Sequence, residues 1–396
     1  MKICDVKTFL VHPGVAKNLC FVKIETDSEF FGWGECYTQT DRDTQIVAHV
    51  DQIKRYLIGR DPRNIKHFTQ SFFNDFAGRR GSMEFFSAIS GLEQAMWDIT
   101  GKLLNAPVHQ LLGGAFRNKI RVYANGWSGE NAPVENKKHS TKPLTQPERL
   151  AILAKETVNV GFTALKFDPI PGPWRTHIDK RTEFQAIENV EAVRDAVGND
   201  IDILVEIHRR LAPSHATKIA KSIQKYNPFW FEEPVLARNL KALEMVKKSI
   251  SIPVVTGEEL YTKFEFREVF ERQAADIINP DICNVGGILE LKEIAAMAEP
   301  YFIGVSPHNY NSTTVGLAAT LQLCGAIPNF IITEYFVNLE DFGNKISKNP
   351  LKVENGYIDL PNSPGLGIEL NESMLEKFPY EQFPPKPPVQ YSEEGP

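Results

Sequence analysis

The chain of 396 residues carries a formal net charge of −6 at pH 7 and 42% hydrophobic residues. That acidic balance argues against a nucleic-acid partner and fits poorly with an anionic membrane surface. No apolar run approaches the roughly 18 residues needed to span a bilayer, while the length leaves room for a large core and a second, smaller unit.

The first residues, MKICDVKTFLVHPG, alternate like a strand and lack the apolar core of a signal peptide. Five cysteines (Cys4, Cys20, Cys36, Cys283, Cys324) are an odd number without a CxxC pair. They read as buried, reduced thiols of a cytoplasmic protein, not as a disulfide framework or a zinc knuckle. Residues 1–36 read as strands: KICDVKTFLV and NLCFVKIETD alternate, and a turn-rich FFGWGEC follows. From about 43 to 112 the pattern turns helical. GSMEFFSAISGLEQAMWDITGKLL carries Phe86, Ile89, Ala95, Trp97, Ile99 and Leu103 on helical spacing, and LLGG is a helix stop. Residues 1–118 are therefore expected to form a separate α+β unit.

Over residues 119–335 short apolar strands alternate with helical stretches such as ENVEAVRDAV and ELKEIAAMAE. The strands are IRVYAN, ALKF, DILVEI, FWFEE, IPVVTGEE, DIINPD, FIGVSPH and FIITEY, and this repeat predicts a parallel sheet closed into a barrel. Glu206, Glu232, Glu258, Asp281, His308 and Glu334 mark strand ends at spacings of 26, 26, 23, 27 and 26, about one βα unit each. Such polar residues recur in register at the rim where barrel enzymes carry out their chemistry. Residues 336–396 lie beyond the repeat. YIDLPNSPGLGIEL can pack back on the N-terminal unit, whereas the tail FPPKPPVQYSEEGP cannot bury a core.

FWFEEPV ends a buried strand with two adjacent carboxylates, which demands an arginine, a lysine or a bound cation as partner. Glu206, Glu232 and Glu258 close three consecutive strands, and neighbouring strands lie about 4.8 Å apart. Three such carboxylates repel unless a hard divalent cation sits between them, and an oxygen-only set favours Mg²⁺; structural ion pairs are the alternative. Glu233 then points the other way or begins the loop. His308 and Asp281 end neighbouring strands and suit an acid–base dyad. His208, two residues after Glu206, would share the metal's face if the strand continues, or bond a loop carbonyl as a rim histidine. Of Arg209 and Arg210 one could hold an anionic substrate, for which Arg210 is the candidate. Lys166 ends the second strand, where a nearby cation would lower its pKa and let it bind a carboxylate or move a proton. Asp168 follows with the same facing, either as a substrate-binding group or as ordinary loop charge.

GWGE, WDITGK with LLGG, VEIH, FEEP, TGEE, NPDICNVGG and SPHN stand in an order and spacing that resembles the mandelate racemase subgroup of the enolase superfamily, over nearly the whole chain. The resemblance implies a modified (β/α)7β barrel (119–335) under an α+β capping domain (1–118) completed by a C-terminal segment (336–396). It also implies Mg²⁺ on Glu206, Glu232 and Glu258, abstraction of the proton α to a carboxylate, and an enediolate. Racemases of the subgroup carry K-x-K on the second strand; here it is Lys166-Phe167-Asp168, and Asp168 is a weak base. Glu206-Ile207-His208, VYANGW and ALKFDP resemble acid-sugar dehydratases of the galactonate and gluconate type. The first metal ligand, commonly Asp there, is Glu here.

The expected reaction is dehydration of a sugar acid to a 2-keto-3-deoxy acid. His308, oriented by Asp281, takes the C2 proton, Lys166 aids the carboxylate, and His208 protonates the leaving 3-hydroxyl, with Glu334 in the same catalytic set. A capping loop around residues 12–40 would close the site. The rivals are an epimerase using Lys166 and His308, and a non-catalytic metal-binding barrel. The resemblance further implies a homo-oligomer, dimer or octamer, acting on a small molecule.

Overall fold

Three antiparallel strands begin the chain: β1 (Ile3–Val11), β2 (Leu19–Thr26) and β3 (Phe31–Cys36), in the order β1-β2-β3. In the computed structural model, which describes residues 1–15, 17–75, 78–129, 144–170 and 175–384, helices α1 (Asp43–Leu57), α2 (Ile65–Asn74) and α3 (Met83–Leu103) follow. The short helix α4 (Val108–Leu111) ends this cap. α3 starts where Ser82 accepts a hydrogen bond from the Phe85 amide, an ordinary N-cap.

The turn-rich FFGWGEC carries a strand, β3, from Phe31 to Cys36. Its glycines serve close packing: a Cβ on Gly32 would stand 2.1 Å from the Ala95 carbonyl oxygen, and one on Gly34 1.8 Å from that of Gly91. The sheet therefore lies directly on the backbone of α3, which only glycine permits.

The second unit runs β4 (Lys119–Asn125), α5 (Gln146–Asn159), β5 (Ala164–Phe167), α6 (Lys180–Val197), β6 (Asp202–Glu206), α7 (Pro213–Ile223), β7 (Trp230–Glu232) and α8 (Leu240–Ser249). It continues β8 (Val254–Thr256), α9 (Thr262–Arg272), β9 (Ile277–Ile278), α10 (Ile288–Ala298), β10 (Gly304–Val305), α11 (Val315–Ala326) and β11 (Thr333–Phe336). All these strands pair in parallel, in the order β10-β9-β8-β7-β6-β5-β4-β11. A parallel bridge between Val305 and Phe330, with Val305 N donating to Asn329 O at 2.9 Å, closes the circle. The result is a (β/α)7β barrel. Tyr123, Ala164, Leu204, Trp230, Val255, Ile277 and Ile332 fill its interior as one buried cluster.

After β11 come α12 (Glu340–Ile346), β12 (Tyr357–Asp359) and α13 (Glu372–Leu375). β12 adds antiparallel to β4 of the barrel. The chain then returns to the cap, where Leu366 N donates to Asp98 at 2.8 Å and His12 N to Phe378 O at 3.2 Å. From residue 385 the Pro-rich tail lies outside the described residues. Among the described residues no helix is long and apolar enough to cross a membrane.

Two cap glutamates dock the units by terminating barrel helices. Glu93 of α3 accepts from Ile288 N and Leu289 N at the start of α10. Glu35 of β3 accepts from Gly316 N at the start of α11, 2.8 Å away. Each supplies acceptor oxygens where helix amides lack partners. All five cysteines are free thiols, and Cys20 sits opposite Cys36 in the cap sheet.

Candidate active site

Parallel register puts Glu206, the last residue of β6, directly beside Glu232, the last of β7. Glu258 lies two residues past β8, beyond a Gly257 with φ of +138° that ends the strand. Carboxylate oxygens of the three lie within 4.8 Å of one another, and all three residues are buried. Burial opposes ionisation of Glu206, but the facing His208 and Lys166 hold its pKa low, whereas burial and the neighbouring Glu206 push Glu232 well up. This cluster fits a hard divalent cation on two further grounds. Glu232 Oε2 is buried without a hydrogen-bond partner among the described residues. Glu206, Glu232, Glu233, Glu258, Asp281 and Glu334 also bring more buried carboxyl groups together than Lys166 and Arg209 can neutralise.

Lys166, the penultimate residue of β5, has its Nζ 2.8 Å from Glu232, 2.9 Å from Glu334 and 3.4 Å from Glu206. The lowered ammonium pKa expected of Lys166 depends on a bound cation; the protein's own groups act in the opposite direction. Burial pulls Lys166 down, but Glu232 and Glu334 outweigh it and raise it well above its usual value.

His308 lies three residues past β10, beside Asp281, which lies three past β9. Its Nδ1 is 2.7 Å from Asp281 Oδ2, while Nε2 faces Glu258 at 3.4 Å and Glu334 at 3.6 Å. Burial lowers the imidazole pKa, but Glu334 and Asp281 reverse the sign and raise it. Glu334, inside β11, also accepts from Asn125 Nδ2 and Asn309 N. Burial disfavours its charge, yet Lys166 and His308 hold its pKa at about 2.

His208 reaches this rim by a different route from the one the strand period suggested. β6 stops at Glu206, and His208 and Arg209 follow in left-handed backbone, with φ of +51° and +63°. Such conformations in non-glycine residues carry strain and concentrate at functional sites. His208 Nδ1 lies 2.8 Å from Asp168 Oδ2. Arg210, the expected substrate anchor, is buried; its Nη2 binds both oxygens of Asp168 and the Ile170 carbonyl. Asp168 and Arg210 thus form a support under His208, and neither lines the cavity described below.

The second glutamate of FEEP turns away from the cluster. Glu233, with φ of +44°, accepts from Gly257 N at 2.7 Å and Thr256 Oγ1 at 3.1 Å, tying the end of β7 to that of β8. Burial raises its pKa to about 7. Sequence reasoning missed Arg209 as the partner of Glu258 and Glu259, and Asn279, which donates to Glu232 at 2.9 Å. Asn279 stands two residues before Asp281 in NPD, the one local signal for it. It also missed Tyr37 and Tyr310, whose rings flank His308 with centroids 6.2 and 6.0 Å away.

A cavity of about 1250 Å³ opens between cap and barrel. His208, Glu258 and His308 line its barrel side and Tyr37, Gln39 and Arg42 its cap side. Chemically, it places two histidines, each held at Nδ1 by its own carboxylate, beside a three-carboxylate cluster with the geometry to hold a metal ion.

Comparison with known proteins bears on this geometry. The family profile described as enolase C-terminal domain-like matches residues 149–374. The N-terminal domain profile of mandelate racemase and muconate lactonizing enzyme matches residues 10–113. A D-gluconate dehydratase of Thermoproteus tenax is 34% identical over 90% of this chain and 69% of its own. A D-galactonate dehydratase of Cronobacter sakazakii is 33% identical over 95% and 94%. The crystal structure of a mandelate racemase/muconate lactonizing enzyme-like protein from Roseovarius superposes with a TM-score of 0.88 at 33% identity, covering 96% of each chain.

Proposed function

The chain belongs to the mandelate racemase and muconate lactonizing enzyme family of the enolase superfamily, and from that premise we propose that it is a Mg²⁺-dependent dehydratase converting a sugar acid, an aldonate or aldarate, into a 2-keto-3-deoxy acid. The observation that carries this reading is two histidines on one cavity, each paired with a carboxylate behind it, His308 with Asp281 and His208 with Asp168. Elimination of water needs a base for the C2 proton and an acid for the 3-hydroxyl. The sugar-acid dehydratases among the relatives support the same substrate class.

Glu206, Glu232 and Glu258 would hold the cation. A bound Mg²⁺ supplies electrostatic stabilisation of the charge that develops on the substrate carboxylate. Lys166, pinned among Glu206, Glu232 and Glu334, adds fixed positive charge beside that carboxylate. Asp281 accepts from His308 Nδ1–H, which leaves Nε2 as the atom that takes the C2 proton. Asp168 fixes His208 Nδ1 as donor in the same way and turns Nε2 to proton delivery at the leaving hydroxyl. Loss of water leaves an enol, which ketonises. An epimerase would need a second base across the α-carbon. Lys166 is directed into three carboxylates, which weighs against it in that role.

The test is a panel of aldonates and aldarates incubated with the protein and Mg²⁺ in deuterium oxide. A keto-acid product is expected for at least one member. Deuterium at C2 without keto product would establish an epimerase instead, and neither change across the panel would overturn the reading.

A further inference from the structure

Lys17 belongs to the segment between β1 and β2 and is buried at 3% exposure, a rare place for an ammonium. Its Nζ donates to the Thr38 carbonyl and lies 3.7 Å from the centroid of the Tyr310 ring and 4.5 Å from that of Tyr37. The two rings stand 5.7 Å apart at 36°. Tyr37 follows a cap strand, whereas Tyr310 follows a barrel strand two residues after His308. Tyr310 stacks on the His308 imidazole at 25°, and its amide donates to Asp281 Oδ2 at 3.2 Å. The imidazole is therefore flanked by two rings from different units, and one cation touches both.

Burying an ammonium is unfavourable unless its surroundings replace water, and two desolvated aromatic faces do part of that. Burial lowers the Lys17 pKa to about 7, and the facing carboxylates Asp281 and Glu35 pull it partly back. The larger of these influences, Asp281, is also the partner of His308 Nδ1. Lys17 does not line the large cavity; it borders a small pocket behind it with Glu35, Tyr37, Asp281 and Tyr310. A substrate-binding role is thereby disfavoured.

We propose that Lys17 is a positioning residue: its buried ammonium clamps Tyr37 of the cap and Tyr310 of the barrel against His308, so that seating of the capping segment and alignment of the imidazole are one event. The importance of that alignment for turnover rests on the dehydratase reading, but the clamp itself does not.

The experiment compares the full-length wild type with K17M and K17R. Amide hydrogen exchange is followed at residues 17–19, 37–38 and 308–312 without substrate. In K17M all three segments should exchange faster together, by about tenfold or more, and K17R should restore them. This arm reads out whatever the substrate proves to be. Where the wild type turns over a sugar acid, K17M should lower kcat by roughly 10- to 100-fold while KM stays within about threefold. A K17M–Y310L double-mutant cycle should be non-additive, because both act through one contact. Faster exchange confined to residues 17–19 would overturn the proposal and make Lys17 a local anchor. An effect confined to KM would overturn it as well, by placing Lys17 on the substrate.

Discussion

Asp168 holds two partners at once: His208 Nδ1 at 2.8 Å and the guanidinium of Arg210, which binds both of its oxygens. The arginine fixes the carboxylate, and the carboxylate fixes the tautomer and direction of the imidazole. D168A should lower the dehydration rate by about 10²- to 10⁴-fold, the range expected when a positioned proton donor is lost. Exchange of the C2 proton with deuterium oxide, which the proposed mechanism assigns to His308 and the metal and not to His208, should persist. R210M should give a milder loss, about tenfold, because Asp168 keeps its charge but loses its anchor. Loss of C2 exchange in D168A would show that His208 and Asp168 act on the first step.

The carboxylate cradle makes a prediction that needs no substrate. A ligand that binds only the folded state stabilises it by about 2.7 kcal/mol at a hundredfold excess over Kd. Mg²⁺ should therefore raise the melting temperature of the wild type, and EDTA should abolish the rise. E232Q removes a ligand charge at the residue whose Oε2 lacks a partner, so its melting temperature should no longer respond to Mg²⁺. An undiminished response in E232Q would remove Glu232 from the site.

Periodicity made the barrel legible, because each strand must be apolar on both faces and each unit takes a similar length. The polar residues at Glu206, Glu232, Glu258, Asp281, His308 and Glu334 could be placed on one rim for the same reason. Spacing along the chain fails where the backbone leaves regular structure. His208 was given the facing of a strand residue, yet it sits in left-handed backbone that no pleat describes. Arg210 reads as a substrate anchor in the sequence because its partner, Asp168, lies 42 residues away, just past another strand. FFGWGEC looks turn-rich because glycine marks turns and close packing alike; only contact with α3 separates the two.

H308N tests the first step. Asparagine can keep a hydrogen bond toward Asp281 but cannot accept the C2 proton. The variant should fold and should retain its Mg²⁺-induced rise in melting temperature, while neither keto acid nor C2 deuteration appears. The expected loss exceeds about 10²-fold, since base and metal must act together on a weakly acidic carbon. D281N should fall less far, because it weakens only the group that orients the base. Residual C2 exchange in H308N would point to a second base, with Lys166 as the nearest candidate.

Glu93 couples cap docking to pH. Its Oε1 accepts from Trp97 Nε1 at 2.8 Å and Leu289 N at 2.9 Å, and Oε2 accepts from Ile288 N at 2.8 Å. Burial raises its pKa from 4.5 to about 7, against the pull of those donors. Between those values the folded protein keeps a proton that the unfolded chain has lost. The stability contributed by this group is thus fully present below 4.5 and is lost as pH rises through about 7, by an amount on the order of 3 kcal/mol. E93Q carries no titrating group at this position. Denaturant midpoints measured from pH 5 to pH 8 should show the wild type's advantage over E93Q largest at pH 5 and narrowing toward pH 8. A gap that widens with pH would mean that the three N–H donors outweigh burial and that Glu93 docks the cap as a full carboxylate.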